Sequence, residues 1–368
     1  MIILAIETSC DDTAIAVVEV KNLPAGKAGK KFKVLSNIVS SQIEAHQEYG
    51  GVFPSLAKRE HEKNLPAVLK RSLEKAKRNS VPFRKKGTEF LSLVAVTIGP
   101  GLDPCLWTGV NFAKDLAQKW DMPIIPVNHV EAHILVNFQF PCLAVRQAIS
   151  NFQFPAVALI VSGGHTQLIL IKDIGKYKIL GETRDDAAGE CFDKVARILG
   201  LGYPGGPIIS EMSKCPRPVL GQFARGRASG ILLPRPMINT NDYDFSFSGL
   251  KTAVLYNFKN QPVKIRKSKK YISEMCKEVQ QAVIDVLIKK TTKASREYGV
   301  KTIILGGGVT ANTELRKQFK KRFKNVLIPP KKLSTDNAVM IAIAGYYNQN
   351  KQTKNYSKIK AKPNLRIH

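Results

Sequence analysis

Two histidines, His129 and His133, stand one helical turn apart in Asn128-His-Val-Glu-Ala-His133. On a helix this spacing projects both imidazoles from one face, where two nitrogens can take hold of a single divalent ion. Two ligands call for a third, and Ser334-Thr-Asp-Asn337, near the far end of the sequence, supplies a candidate carboxylate in Asp336. Imidazole and carboxylate donors suit iron and zinc alike. The plain alternative is a pair of ordinary core or surface histidines, since the spacing is also that of any two residues on one helix face.

The elements around the pair favour the metal. Met122-Pro-Ile-Ile-Pro-Val127 reads as a short buried strand, so the histidines open a helix at a strand end, the place where open α/β sheets keep their chemistry. Residues 2–6 read as a strand and Ala14 to Val20 as a second, with Glu7-Thr-Ser-Cys-Asp-Asp-Thr13 as the turn of a hairpin. Such a turn can line a phosphate and its metal, or be an ordinary polar loop. The design recurs in Val157 to Val161, the turn Ser162-Gly-Gly-His-Thr166 and Gln167 to Ile171, which suggests a duplication with two turns facing one ligand across a cleft. Gly163 and Gly164 let backbone approach a phosphate closely. Gly306 to Glu314 is a glycine-rich turn from a strand into a helix start, a geometry that binds anions.

The remaining elements follow from periodicity and breakers. Ser41 to Lys77 reads as mainly helical with a break at Tyr49 to Pro54, Leu91 to Ile98 as a buried strand, and Leu106 to Lys119 as a helix. Asp185 to Leu199 opens another helix, Tyr203-Pro-Gly-Gly-Pro207 reads as a kinked loop, and Glu274 to Tyr298 as a long amphipathic helix. Asn137-Phe-Gln-Phe-Pro141 recurs as Asn151-Phe-Gln-Phe-Pro155, a local repeat to which no function is assigned.

At 368 residues, 44% of them hydrophobic, the chain can bury a large core and suits two lobes better than one domain. The expected division is a first lobe over 1–136 closed by a helix at 336–349, a second over 137–335, and a basic tail at 350–368. No apolar run spans a bilayer, Met1 to Ile6 lacks the features of a signal peptide, and six cysteines form no C-x-x-C pair, which together predict a cytoplasmic protein with no membrane partner. The formal charge of +28 points to a polyanion, nucleic acid first. It is gathered in runs at Lys27 to Lys33, Arg84 to Lys86, Lys264 to Lys270, Lys317 to Lys324 and Lys351 to Lys362, each of which alone could be a solvated face.

Seven segments in one order resemble the bacterial TsaD family of tRNA threonylcarbamoyladenosine transferases, formerly described as endopeptidase-like. They are Glu7 to Thr13, Asn128 to His133, Val161 to Thr166, Tyr203 to Pro207, Phe245-Ser-Phe-Ser-Gly-Leu-Lys251, Gly306 to Asn312 and Ser334 to Asn337. The resemblance covers nearly the whole chain. It implies an α/β, two-lobed actin-like ATPase fold with an interlobe cleft, and transfer of a threonylcarbamoyl group from its adenylate to the amine of the adenosine beside the anticodon.

It further implies one divalent metal on His129, His133 and Asp336, iron(II) favoured and zinc possible. The threonylcarbamoyl-adenylate would lie along Ile160, Val161, Ser162, Gly163 and Gly164, with its ribose near Asp193 and Gly206 and its base near Asn312. Asp11 or Asp12 could take the amine's proton, Asp11 being preferred. The implied partners are tRNA, a smaller paralogous (TsaB-like) protein and a P-loop (TsaE-like) ATPase. Asn22 to Lys33, the doubled Phe-Gln-Phe loop and Pro216 to Ala228 stand as additions to the pattern, and Asp103 to Trp107 departs from it. The competing reading is a zinc metallopeptidase. Against it, the glutamate of H-E-x-x-H follows the first histidine directly, whereas Glu131 stands two places on and is rotated roughly away from the metal face. A sugar kinase or chaperone-like ATPase of the same fold is a third.

Overall fold

The computed structural model describes residues 1–22, 30–79, 90–138, 154–214 and 230–368. They belong to two compact units, Met1–Asn151 with Pro329–His368, and Phe152–Ile328. The Arg84 to Lys86 run, residues 27–29 of the Lys27 to Lys33 run, Pro216 to Ala228, and both Phe-Gln-Phe copies in part lie outside the described residues.

The first unit begins with β1 (Ile2–Glu7), β2 (Asp12–Asn22) and β3 (Lys30–Ser41), an antiparallel meander. After α1 (Pro54–Asn79) come β4 (Leu93–Gly99), α2 (Asp103–Lys119), β5 (Ile124–Asn128) and α3 (His129–Leu135). The sheet order is β3-β2-β1-β4-β5, with β4 parallel to β1 and β5 parallel to β4. Every residue of β1 and β4 is buried, which is why both segments read as continuous apolar runs rather than alternating ones.

The second unit carries β6 (Ala156–Val161), β7 (Thr166–Asp173), β8 (Lys176–Glu182), α4 (Ala188–Ile198), α5 (Gly205–Met212), α6 (Ser248–Asn260), α7 (Lys269–Glu297), β9 (Thr302–Gly306), α8 (Thr313–Arg322) and β10 (Asn325–Leu327). Its sheet, taken from β8, runs β8-β7-β6-β9-β10. An antiparallel meander continued by two parallel strands thus occurs twice, and the two hairpins expected to be duplicated are β1–β2 in the first unit and β6–β7 in the second.

The chain then returns to the first unit as α9 (Ala338–Tyr347), which packs on β1, β2 and α3. Residues 338 to 345 are all buried, and the helix is apolar all round, as a helix enclosed on every side must be. Gly345 permits close seating, since a Cβ there would stand 2.8 Å from that of Ala95.

Three local expectations are corrected. Tyr203 to Pro207 is not wholly loop, because α5 starts at Gly205 with Pro207 in its first turn, where the missing N–H costs nothing. The closing helix is shorter than 336–349, and Asp336 precedes its cap, Asn337, whose Oδ1 accepts from Met340 N at 3.2 Å. Residues 350–368, expected as a basic tail, are docked on the first unit. Thr353 bridges to Ile124, the Tyr356 hydroxyl donates to Met122 O at 2.9 Å, and Ile359 and Ile367 are buried.

Candidate metal centre and its surroundings

Helix α3 begins directly at a strand end because Asn128 caps it, its Oδ1 accepting from Val130 N at 2.9 Å and Glu131 N at 3.1 Å. His129 and His133 then share a face, their rings 4.7 Å apart and nearly perpendicular. Both are buried. Asp336 reaches them across 203 residues from His133, with Oδ1 at 3.2 Å from His133 Nε2 and 3.5 Å from His129 Nε2. The three ligand atoms lie within 4.8 Å of one another, so the group could hold a metal ion. All three residues belong to the first unit.

The donor set fits a divalent ion. His129 Nδ1 is 3.1 Å from Glu7 Oε2 and 3.1 Å from Ser9 Oγ, an arrangement in which Glu7 holds a proton on Nδ1 and Nε2, on the Asp336 side, is the nitrogen that would ligate once deprotonated. Glu7 is itself held, accepting from Thr97 Oγ1 at 2.7 Å and from Ser9 N at 2.5 Å. Reading the sequence missed Glu7, Ser9 and Thr97 as partners of the site. A carboxylate ending a fully buried strand was the available signal for Glu7.

Charge at the site is strongly coupled. Burial pulls the His129 pKa down, but Asp336 and Glu7 together override it and raise it to about 9. For Glu7, burial pushes upward, and the His129 charge and hydrogen bond outweigh it, leaving the carboxyl below its ordinary value. Burial, aided by the His129 charge, holds His133 below the usual histidine range against the pull of Asp336, which favours the neutral, ligating form.

The hairpin turn from Glu7 to Asp12 brings two more carboxylates to this electrostatic neighbourhood. Asp11 is raised by burial and then by Asp336, and Asp12 is raised by burial, Asp11 and Asp336 to about 7. A chain of hydrogen bonds that sequence reading also missed fastens the turn. Gln42 N donates to Asp11 O at 3.0 Å, Thr13 Oγ1 lies 2.7 Å from His61 Nδ1, and His61 Nε2 lies 2.9 Å from Cys10 O. Glu131 takes no part in the metal group. It is buried, and its Oε2 accepts from Asn348 Nδ2 at 2.9 Å at the end of α9.

In the second unit, Ile160 and Val161 are buried in β6, and the turn after them is closed by Ser162 N donating to His165 O at 2.7 Å. The glycines there divide into two groups. A Cβ on Gly189 would stand 2.6 Å from Ser162 O, and one on Gly307, at φ +88°, 2.4 Å from Val161 O, so these two serve close packing of backbone on β6. Gly163, Gly164 and Gly206 meet nothing within 4 Å and face open space. Asp193 Oδ1 accepts from Gly205 N at 2.7 Å and so holds the start of α5. Asn312 caps α8, its Oδ1 accepting from Leu315 N at 3.0 Å while its Nδ2 donates to Gln280 Oε1 at 2.7 Å.

The TsaD family model, described as tRNA N6-adenosine threonylcarbamoyltransferase, matches residues 33–343. A protein of that name from Thermosipho africanus is 42% identical over 372 aligned residues, covering all of both chains. Another from Geobacillus kaustophilus is 42% identical and covers 95% of this chain and 93% of its own. Among solved structures, full-length HypF in its phosphate- and nucleotide-bound form superposes with a TM-score of 0.52 at 13% identity, over 95% of this chain and 55% of HypF. With the repeated five-stranded sheets, this likeness identifies the actin-like ATPase fold. Among the described residues, no helix is long and apolar enough to cross a membrane.

Proposed function

The chain belongs to the family of tRNA N6-adenosine threonylcarbamoyltransferases, and from that membership we propose that it moves a threonylcarbamoyl group from threonylcarbamoyl-adenylate to the exocyclic amine of the adenosine beside the anticodon, in tRNAs reading codons that begin with A. The observation that carries the reading to a site is the group of buried His129 and His133 with half-buried Asp336, and Glu7 behind it, on a chain that matches the family over 33–343.

In this proposal His129, His133 and Asp336 hold one divalent ion, iron(II) in preference to zinc, which supplies Lewis acidity toward the oxygens of the donor. Glu7 keeps the His129 ring in the ligating tautomer. Asp11 accepts the proton of the attacking amine. Burial and the Asp336 charge raise its pKa, which makes it a stronger base than an ordinary carboxylate. The adenylate binds along Ile160 to Gly164 and near Gly206, where open space beside the glycines supports close approach of an anion to backbone. Asp193 and Asn312 act there mainly by holding the starts of α5 and α8.

The reaction takes place in the cytoplasm, with a smaller paralogous (TsaB-like) protein and a P-loop (TsaE-like) ATPase as partners. Nothing favours the metallopeptidase reading, and Glu131, engaged by Asn348, is not placed to serve water on the ion. The test is transfer of labelled threonylcarbamoyl to unmodified tRNA, with and without those two partners. Transfer should require His133. No transfer under any combination would reject the proposal.

A further inference from the structure

Residues 337–368 contain no aspartate or glutamate, and six lysines and arginines, at 351, 354, 358, 360, 362 and 366. The last part of this segment has two faces. Ile359 and Ile367 are buried and Ala361, Pro363 and Leu365 are half-buried, whereas Lys358, Lys360, Lys362 and Arg366, which alternate with them, are exposed. Lys354 is paired with Asp121 at 2.7 Å. Among the described residues, Lys358, Lys360 and Lys362 have no carboxylate partner. The segment leaves a 3-10 turn at Lys358 and enters a tight turn at Lys362, where Leu365 N donates to Lys362 O at 3.0 Å, so the three lysines sit close together along a short run of chain.

The apolar face is fastened beside the metal group. Lys362 N donates to Ile98 O at 2.6 Å and Gly101 N to Pro363 O at 3.1 Å. The fit is close enough that a Cβ on Gly99 would overlap Lys362 O. The same turn touches the centre, since Leu102 N donates to Ser9 O at 2.8 Å and Ser9 Oγ lies 3.1 Å from His129 Nδ1. At its far end the segment meets the cap of the histidine helix, with Asn128 Nδ2 donating to Arg366 O at 3.4 Å.

We infer that residues 358–366 form a rigid basic strap that binds the phosphate backbone of the acceptor tRNA and sets its target base beside the metal group. Three exposed lysines without carboxylate partners, fastened through the turn that touches Ser9 and His129, are suited to a polyanion brought to that group. Because the apolar face is ordered before binding, little conformational entropy is lost when the strand docks. Phosphate contacts of this kind position a nucleic acid without reading its sequence, which suits an enzyme serving several tRNAs. The inference rests on tRNA being the acceptor.

The experiment measures binding of unmodified tRNA to the full chain across a salt titration. It compares wild type with Lys358→Gln/Lys360→Gln/Lys362→Gln and with a charge-matched control, Lys320→Gln/Lys321→Gln/Lys324→Gln, on the second unit. The strap variant should lower the slope of log affinity against log salt by about two, at roughly 0.7–0.9 per lost phosphate contact. Its metal content and melting temperature should match wild type, because the altered side chains are exposed. A wild-type slope for the strap variant, or an equal loss in the control, would overturn the inference. Strap-dependent binding without any transfer by the wild type would instead remove the transferase reading and leave the strap in place.

Discussion

Glu7 Oε2 lies 3.1 Å from His129 Nδ1 across 122 residues of sequence, and it does so from the last position of a strand whose every residue is buried. The carboxylate therefore orients a candidate ligand from behind. Glu7→Gln keeps the shape but loses the charge that holds the Nδ1 proton. The expected result is a fall of about 10- to 100-fold in metal affinity. Competition with a chelator of known affinity measures it, and undiminished affinity would mean that Glu7 serves the fold alone.

Metal uptake should depend on pH with a defined sign. His129 has a pKa raised from 6.5 to about 9, and the proton must leave before its nitrogen can ligate. Apparent affinity should therefore climb from pH 6.5 to about 9, with release of about one proton on binding. For the metal-free protein the raised pKa contributes stability that is full below 6.5 and is lost as pH passes through about 9. Calorimetry in buffers of differing ionisation enthalpy counts the proton, and a count of zero would show that His129 is already neutral.

His133→Ala should empty the site and abolish transfer while the protein still folds, because the apolar core of the first unit does not include the ion. Asp336→Asn retains volume and one oxygen, so occupancy and activity should fall together rather than vanish. Elemental analysis beside the transfer assay checks both, and full metal occupancy with wild-type transfer in His133→Ala would contradict the proposed centre.

Asn312 has a structural duty that bears on its expected place near the adenylate base. Asn312→Ala removes a helix cap and the bond to Gln280, which should cost about 1–2 kcal/mol of stability. Asn312→Asp keeps a capping acceptor. If Asn312 acts only through the helix start, the aspartate variant should bind adenylate nearly as wild type does. A large loss of binding at unchanged melting temperature would show direct contact.

Gly164 and Gly307 should respond in opposite ways to alanine. At Gly164 a methyl group meets open space, so folding is unaffected and any loss appears in donor binding. At Gly307 it meets Val161 O at 2.4 Å with φ at +88°, which should destabilise the second unit by about 1–3 kcal/mol. Thermal melts of the two variants separate these outcomes.

What the sequence determined by itself was local. Spacing of four residues put His129 and His133 on one helix face, small polar turns marked both hairpins, and breakers marked most helix starts. Those features depend on neighbours within a turn or two, which the order of residues states directly. The partners of these residues came from tertiary structure. Glu7 and Ser9 reach His129 because β1 lies next to β4, and β4 next to β5, in a parallel register that no local pattern encodes. Asp193 and Asn312 are expected at the ligand because both sit near small-residue turns in the sequence, yet packing made one the anchor of α5 and the other the cap of α8. Residues 350–368 read as a basic tail, since lysines at every second or third place look solvated, and only the docking of Ile359, Leu365 and Ile367 on the first unit shows that the alternation has an inner face.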